Sequence, residues 1–315
     1  MKACLLALTV SALITASSSA VIIETTTDNT SVPTGIYTNS GWQFEGQFDG
    51  FLGTPIAPAY FLTAKHIGGS IGDAFIYNGV TYHTTALFTD PSADLNLWKV
   101  DGAFSTYAPI YTGSSEVGDS LVVIGRGTDR GATVTTNGAT NGWLWGASNG
   151  IQRWGTNVVS GFTDGGAGFG DLLYADFTNG GTAFEAALSP GDSSGAVFIN
   201  TGSAWMLAGI NYAVDDNIYS ASPTGSNPFG SASIYNPTGL FEKNGSQWIP
   251  ATSSTFYATR VSANTAWIDS VTIVPEPSGT LLALLGGAAF CGFSRQRRPE
   301  RFADRQIPSA FFPSE

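Results

Sequence analysis

The chain between residues 41 and 255 consists of short apolar runs separated by glycine, asparagine and aspartate, and it lacks a long run with the 3.6-residue period of a helix. In FIYNGVTY, 75–82, Asn78-Gly79 stands between two alternating runs, which is the strongest local signal for a two-residue β-hairpin. VFINTGSAWML, 197–207, predicts a second hairpin with a four-residue loop. This pattern predicts an all-β fold of many short strands.

Two segments differ from this β pattern. SANTAWIDSV, 262–271, favours a short C-terminal helix with its apolar side chains on one face and Ser262 as its cap. Residues 21–40 are rich in threonine and serine with little apolar periodicity, and they predict an N-terminal arm.

The first twenty residues have the organisation of a secretory signal peptide. Lys2 is followed by an apolar run from Ala3 to Ile14 and by the small residues Ser18-Ser19-Ala20. The sequence therefore predicts a signal peptide over 1–20, export of the protein, and a mature chain that begins near Val21.

The opposite end has the features of a membrane-directed tail, predicted over 272–315. Pro-Glu-Pro at 275–277 precedes an apolar stretch, 280–293, and then three arginines at 295, 297 and 298. As a helix the stretch spans only about 21 Å, short of the roughly 30 Å of a bilayer core, so the sequence predicts a transient anchor. We expect the arginines to stay on the cytoplasmic side.

This order of elements resembles the PEP-CTERM sorting signal of Gram-negative bacteria, although the extension 299–315 departs from it. The resemblance implies an exosortase-type processing enzyme as a partner and transient anchoring in the inner membrane. It also implies a final location at the outer surface or outside the cell.

Without its two ends the chain is strongly acidic. Residues 21–274 contain seven Lys and Arg against twenty Asp and Glu, which gives a net charge near −13. A surface of this sign argues against nucleic acid or an anionic membrane as a partner. Cys4 and Cys291 both lie outside this body, which excludes a disulfide, a cysteine-ligated metal and a cysteine nucleophile within it.

Imidazole chemistry has two candidates, because the chain contains two histidines. His83 follows Tyr82 in the second strand of the predicted hairpin, a position typical of a half-exposed strand residue. His66 stands where the apolar run FLTA, 61–64, ends and gives way to Ile67-Gly68-Gly69. A strand end of this kind is a usable position for a general base.

An acid candidate follows further along the chain. Asp94 begins the run DLNLWKV, 94–100, so its carboxylate stands at the mouth of a strand among apolar neighbours and is available to orient a histidine ring. Asp90 and Asp101 lie at the flanking turns, where we expect solvated side chains.

A hydroxyl candidate lies in GDSSG, 191–195. The glycine lets the backbone turn so that the amides of Gly191 and Ser193 point at one place, with the Ser193 hydroxyl beside them. That arrangement holds a developing oxyanion next to a nucleophile. Alone, the pentapeptide is also compatible with an ordinary tight turn.

Together these segments resemble the trypsin-like, chymotrypsin-fold serine peptidases. LTAKH matches the family's Leu-Thr-Ala-Ala-His, DLNLWKV its Asp-Ile-Ala-Leu-Leu-Lys-Leu, and GDSSG its Gly-Asp-Ser-Gly-Gly, in the same order. MLAGINY, 206–212, and FYATRVSANTAWIDSV, 256–271, match the strand after the serine and the closing strand and helix. The resemblance covers 41–271.

The resemblance implies two six-stranded antiparallel β-barrels with a catalytic triad in the cleft between them. His66 is then the general base, Asp94 the residue that orients it, and Ser193 the nucleophile that hydrolyses peptide bonds. The amides of Gly191 and Ser193 are implied as oxyanion donors, and the implied substrate is a protein or peptide.

Departures from the family pattern concern the serine turn and the substrate pocket. Ser194 replaces a glycine of the turn, and motif position favours Ser193 over Ser194 as the nucleophile. Ala187 stands where trypsin has its carboxylate. Tyr212, Ala213 and Val214 replace a Ser-Trp-Gly strand. These substitutions imply a pocket for a small or apolar side chain rather than for arginine or lysine.

Another departure concerns activation, because the chain lacks the Arg-Ile-Val-Gly-Gly site at which zymogens of the family are opened. Signal cleavage would itself expose Val21-Ile22, and pairing of the new ammonium with Asp192 is one expectation. The alternative is that local amides satisfy Asp192 while the arm stays unattached.

Other functions stay open at this stage. A non-catalytic surface or matrix binding module on the same fold is one alternative, and an esterase that uses the same triad is another. No cofactor is implied, and no metal motif of usable spacing is visible. Carboxylate clusters such as Asp215-Asp216 leave a calcium site open.

Overall fold

The computed structural model describes residues 21–25 and 29–273, which contain twenty-one β-strands and one α-helix. The predicted signal peptide, 1–20, and the sorting tail from residue 274 onward lie outside the described residues. Within the described part of the chain, no helix is long and apolar enough to cross a membrane.

The N-terminal half of the described chain contains seven strands. They are β1 (Ile22–Ile23), β2 (Gly46–Phe48), β3 (Phe51–Ala57), β4 (Tyr60–Ala64), β5 (Ala74–Tyr77), β6 (Val80–Thr89) and β7 (Leu95–Val100).

The C-terminal half contains fourteen strands and the helix. They are β8 (Ser120–Gly125), β9 (Thr128–Thr136), β10 (Ala139–Ser148), β11 (Arg153–Val158), β12 (Gly161–Asp164), β13 (Asp171–Asp176), β14 (Ala186–Ala187), β15 (Ala196–Asn200), β16 (Trp205–Val214), β17 (Tyr219–Ser220), β18 (Ala232–Ile234), β19 (Phe241–Asn244), β20 (Gln247–Pro250), β21 (Thr255–Arg260) and α1 (Thr265–Thr272).

Strands β2 to β7 close into a six-stranded antiparallel barrel in the order β2-β3-β4-β7-β6-β5, which confirms the predicted first barrel. The predicted hairpin joins β5 to β6, and Asn78 and Gly79 both have the positive φ that a two-residue turn of this kind requires. Aromatic rings fill the interior, with Phe61 stacked on Phe75 at a centroid distance of 3.9 Å.

The second sheet contains seven strands rather than six, in the order β11-β8-β15-β16-β21-β13-β12. Its two edge strands, β11 and β12, follow one another with only Val159 and Ser160 between them. Val159 donates to Asp119 on the β8 side, and Ser160 donates to Tyr174 on β13. One bent segment therefore pairs with both ends of the sheet, and because the bend divides it into β11 and β12, the sheet has seven strands.

Three smaller sheets lie outside the predicted barrels. They are the pair β1-β14 and the three-stranded sheets β18-β10-β9 and β17-β19-β20. The last two sheets share an apolar cluster that includes the fully buried Tyr219 and Ile234. Their long-range pairing, such as that of Gly142 with Ile234, has no local sequence signal.

A common apolar core lies between the barrel and the second sheet. Leu62 and Leu97 from the barrel pack in one cluster with Ile124 and Phe198 from the sheet. This cluster holds the ends of β4 and β7 against β8 and β15, so that residues flanking the ends of those strands meet across the interface.

The C-terminal helix begins three residues later than the sequence predicts. A 3₁₀ turn, Ser262–Asn264, precedes α1, and the buried Ile268 anchors the helix to the common core. The prediction that Ser262 caps the helix is wrong, because its hydroxyl donates instead to the buried carboxylate of Glu116. Arg260 holds the same carboxylate through two hydrogen bonds of 2.8 Å.

Candidate active site

His66 and Asp94 meet because β4 and β7 are neighbours in the barrel. Ala64 pairs with Leu95, which places the residues beyond these two strand ends side by side. The Nδ1 atom of His66 lies 2.5 Å from Oδ2 of Asp94, and the backbone amide of His66 donates to Oδ1 at 2.9 Å. Asp94 is 1% exposed, so both oxygens of a buried carboxylate fix the ring and its backbone.

Ser193 approaches the same ring from the second sheet. The Oγ atom of Ser193 lies 2.9 Å from Nε2 of His66. The serine sits in a tight turn in which Asp192 donates to the Ser189 carbonyl and Gly195 donates to the Asp192 carbonyl. The structure thus brings together the three side chains that the sequence singled out.

The amides of Gly191 and Ser193 are the other predicted elements of this turn. Within residues 21–25 and 29–273, the amides of Asp192, Ser194 and Gly195 are bonded to backbone carbonyls, whereas those of Gly191 and Ser193 make no hydrogen bond. Gly191 has a φ of +93°, and a Cβ atom there would lie 3.0 Å from Gly127 Cα. Glycine is therefore required both by the backbone angle and by the space.

Asp192 is buried and accepts hydrogen bonds from the turn around it. Its oxygens receive the amide of Gly127 at 2.7 Å and the amide and hydroxyl of Ser189 at 2.8 and 3.0 Å. The amide nitrogen of Val21 lies 3.3 Å from Oδ2. Burial raises the pKa of Asp192 to about 6, and the hydrogen bonds from Gly127, Ser189 and Val21 oppose that rise. Local amides and the N-terminal segment therefore both engage this carboxylate.

The start of the predicted arm is docked rather than free. Val21, Ile22 and Ile23 are fully buried, and Ile22 pairs with Ala187 in β14. Val21 has a φ of +41°, a backbone angle that a β-branched residue rarely adopts.

Ser194 links the turn that contains Ser193 to the end of β4, which precedes His66. Its φ is +68°, and its fully buried hydroxyl accepts a hydrogen bond from the amide of Ala64 at 3.1 Å. Its own amide donates to the carbonyl of Asn211, whose side-chain amide holds the carbonyls of Asp192 and Ile124. Sequence reasoning missed Asn211, although a lone amide inside the apolar run MLAGINY was a signal for a buried polar contact.

A cavity of about 200 Å³ opens beside Ser193. Its lining residues are Leu188, Ser189, Pro190, Asp192, Ser193, Tyr212, Ala213 and Val214. The predicted pocket residues at 212–214 lie in this lining. Ala187 differs from its prediction, because it is fully buried in the pair with β1.

The cavity offers no free charge to a ligand. Asp192 is the one carboxylate among the lining residues, and the bonds described above occupy it. Tyr212 stands with its ring edge-on to His66, at a centroid distance of 5.8 Å. The cavity thus suits an uncharged side chain of modest size.

The other acids and the second histidine lie apart from this cluster. His83 and Asp101 are exposed, and the backbone hydrogen bond from His83 lowers the pKa of Asp101. The expectation of a solvated Asp90 is wrong, because that side chain is 1% exposed and caps the amides of Ser92 and Ala93.

The predicted carboxylate cluster at 215–216 is occupied by protein donors. Asp215 accepts from Thr255 and Tyr257, and Asp216 accepts from the amide of Ser231. In the described part of the chain, no group of three metal-ligating side chains comes together.

Solved structures that resemble this chain are chymotrypsin-fold serine proteases or their relatives. Neuropsin, a serine protease expressed in the limbic system of mouse brain, is 12% identical, with a TM-score of 0.46 over 74% of this chain and 95% of that chain. Two mutants of human heparin binding protein are each 13% identical, with TM-scores of 0.48 and 0.45. The first covers 76% of this chain and 96% of that chain, and the second 76% and 95%.

The likeness concerns the fold alone. No protein-family model and no curated protein matches the sequence. The chemistry of the site therefore has to be argued from its own residues.

Proposed function

We propose that this chain is an exported serine endopeptidase that hydrolyses peptide bonds through Ser193, His66 and Asp94. The observation that carries the proposal is the position of one imidazole ring between a hydroxyl at 2.9 Å and a buried carboxylate at 2.5 Å. A nucleophile, a base and an orienting acid within hydrogen-bond reach are the requirement for activating a serine hydroxyl.

In the proposed mechanism, Ser193 Oγ attacks the carbonyl carbon of the scissile bond while Nε2 of His66 takes the hydroxyl proton. Asp94 holds the proton on Nδ1 and stabilises the imidazolium that forms. The amides of Gly191 and Ser193 donate to the carbonyl oxygen as it gains negative charge.

The tetrahedral intermediate then collapses to an acyl-enzyme. His66 gives its proton from Nε2 to the leaving amine, which departs with the C-terminal part of the substrate. A water molecule, deprotonated by the same nitrogen, attacks the ester carbonyl. The bond between Ser193 Oγ and the carbonyl carbon then breaks, Oγ takes the proton back from Nε2, and the N-terminal part leaves with a new carboxyl group.

The cavity beside Ser193 supports a preference for a small or apolar residue on the acyl side of the cleaved bond. Its lining carries no unoccupied charge, and Val214 and Tyr212 narrow it. Arginine and lysine substrates lack a partner there, so we propose that they are poor substrates.

We further propose that removal of the signal peptide before Val21 completes the site. The φ of +41° at Val21 is a strained angle of the uncut chain, which costs about 1–3 kcal/mol. Cleavage before Val21 removes that constraint and converts its nitrogen, 3.3 Å from Asp192, into an ammonium group. The tail from 272 onward remains a proposed sorting signal on the basis of its sequence.

A fluorophosphonate probe on the purified exported protein tests the activity. We expect covalent labelling of Ser193 that Ser193→Ala abolishes, with Ser203→Ala, an exposed hairpin serine, as the matched control. Absence of labelling in the wild type would support a non-catalytic binding module instead. Digestion of a peptide library next to simple ester substrates separates a peptidase from an esterase.

A further inference from the structure

Lys65 stands where the trypsin-like motif has alanine, and its ammonium group is fully occupied. Nζ donates to the carbonyls of Ala93 at 2.9 Å, Gly168 at 3.2 Å and Asp90 at 3.4 Å. An ammonium group has three protons, so these three acceptors match its capacity. Lys65 therefore joins the strand end before the candidate base to two separate loops.

One of these loops, residues 165–170 (GGAGFG), buries little side-chain surface, because four of its six residues are glycine. The amide of Gly165 donates to the carbonyl of Gly170, and the amides of Phe169 and Gly170 donate to the carbonyl of Gly166, which closes the loop on itself. Phe169 is its one large side chain and is 39% exposed. A glycine-rich segment with so little buried surface depends on a few outside contacts for its position.

Phe169 connects this glycine loop to the candidate site through contacts between aromatic rings. Its ring lies 5.4 Å from that of Tyr212, and the Tyr212 ring lies edge-on to His66 at 5.8 Å. Phe169 and Tyr212 thus form an aromatic wall on one side of the imidazole. The loop also lies close to the segment before Asp94, because a Cβ atom at Gly170 would lie 3.1 Å from the Ser92 carbonyl oxygen and from Ala93 Cβ.

We propose that Lys65 is a positioning residue that holds the glycine loop so that the aromatic wall restricts a second substrate position to small side chains. This position is P2, the residue that precedes the one in the cavity. The proposal rests on the proposed peptidase function and adds a specificity element to it.

The assignment to P2 follows from the place of Tyr212. This residue lines the cavity that takes the acyl-side residue, and it also forms half of the wall. The wall is therefore on the acyl side of the attacked carbonyl rather than on the leaving-group side. The residue next to the cavity on that side must pass along this wall, beside His66.

Phe169→Ala tests the wall. With peptides that differ only at P2, we expect the wild type to cleave alanine at P2 at least tenfold faster, by kcat/KM, than phenylalanine. The variant should reduce that ratio by about tenfold or more. Equal effects on all peptides, or a change confined to the leaving-group side, would overturn the proposal.

Lys65→Met tests whether Lys65 holds the glycine loop, because methionine has a side chain of similar length but donates no hydrogen bond. Lys99→Met removes the same charge at an exposed position on β7 and is the matched control. We expect Lys65→Met to shift the P2 ratio in the direction of Phe169→Ala, and Lys99→Met to leave it unchanged. In the Phe169→Ala background, Lys65→Met should add little, whereas an additive effect on the ratio contradicts positioning through the loop.

Amide hydrogen exchange tests the positioning of the glycine loop by Lys65 independently of catalysis. We expect exchange within 165–170 to be about tenfold faster or more in Lys65→Met, and unchanged in Lys99→Met. Unaltered exchange would overturn the role of Lys65. A protein that binds no fluorophosphonate would instead contradict the proposed function, and with it the P2 assignment.

Discussion

The hydroxyl of Ser194 accepts a hydrogen bond from the backbone amide of Ala64, at 3.1 Å and across 130 positions of the chain. Pairing of β3 with β4 extends only as far as Leu62, so this amide lies beyond the reach of the neighbouring strand. A side chain from the turn of the candidate nucleophile thus satisfies the strand end that carries the candidate base. The bond compensates for the positive φ of Ser194, where glycine is the less strained residue.

Ser194→Ala and Ser194→Gly separate these two contributions. Alanine loses the acceptor and keeps the strained angle, so we expect a loss of about 1–3 kcal/mol in the free energy of unfolding. Glycine loses the same acceptor but relieves about 1 kcal/mol of strain, and should be the more stable of the two. Urea unfolding measures the free energies of unfolding of the wild type and both variants. An alanine variant as stable as the wild type would contradict the contribution of this hydrogen bond.

The pH dependence of stability should distinguish the uncut chain from the mature one. In the uncut chain the pKa of Asp192 is raised from 3.8 to about 6, so the folded state binds a proton more tightly than the unfolded state. Stability from this group is present below pH 4 and is lost as the pH rises to 6, by about 3 kcal/mol. An ammonium on Val21 favours the charged carboxylate and should reduce this loss.

Urea unfolding between pH 4 and 7 checks this expectation on chains with and without residues 1–20. We expect the difference in stability between the two forms to grow in favour of the mature form as the pH rises through 4–6. A difference that does not change with pH would contradict pairing of the new terminus with Asp192.

Gly191→Ala should impair the reaction far more than the fold. The new Cβ atom, 3.0 Å from Gly127 Cα, forces the turn to move and redirects the two free amides. Loss of oxyanion donors reduces kcat by about 10²–10³. Gly118→Ala is the control, because Gly118 has a similar φ of +89° but open space around it. That variant should lose about 1 kcal/mol of stability and keep its kcat.

Val214→Gly should widen the cavity beside Ser193. We expect kcat/KM for peptides with phenylalanine in the cavity to rise by roughly 10–200-fold relative to peptides with alanine. Val158→Gly, on edge strand β11, makes the same substitution in a strand that does not line the cavity. Its ratio should stay at the wild-type value, and an unchanged ratio in Val214→Gly would show that other residues set the pocket size.

The first barrel and the candidate triad were accessible from the sequence because their signals are local. Asn78-Gly79 specifies its turn within two residues. His66 lies two residues after one recognisable apolar run, and Asp94 lies directly before another. The GDSSG segment likewise contains its turn, its hydroxyl and its free amides within five residues.

The remainder depends on contacts between distant parts of the chain. The burial of Val21 and the pairing of Ile22 with Ala187 have no local pattern, since the strands concerned are two residues long. The break at Val159-Ser160 follows from closure of the second sheet, which a single-strand pattern does not record. The roles of Asn211 and Lys65 depend on carbonyl groups that the fold brings to them.

The position of β21 has a consequence for timing. This strand, the last one in the described part of the chain, lies in the interior of the second sheet between β16 and β13. As the polypeptide emerges from a ribosome or a translocation channel, the second sheet, next to the turn that contains Ser193, stays incomplete until residue 260 has appeared. Under the proposed function, a partly emerged chain therefore lacks a complete catalytic cleft and cannot act as a peptidase until nearly all of the body is free.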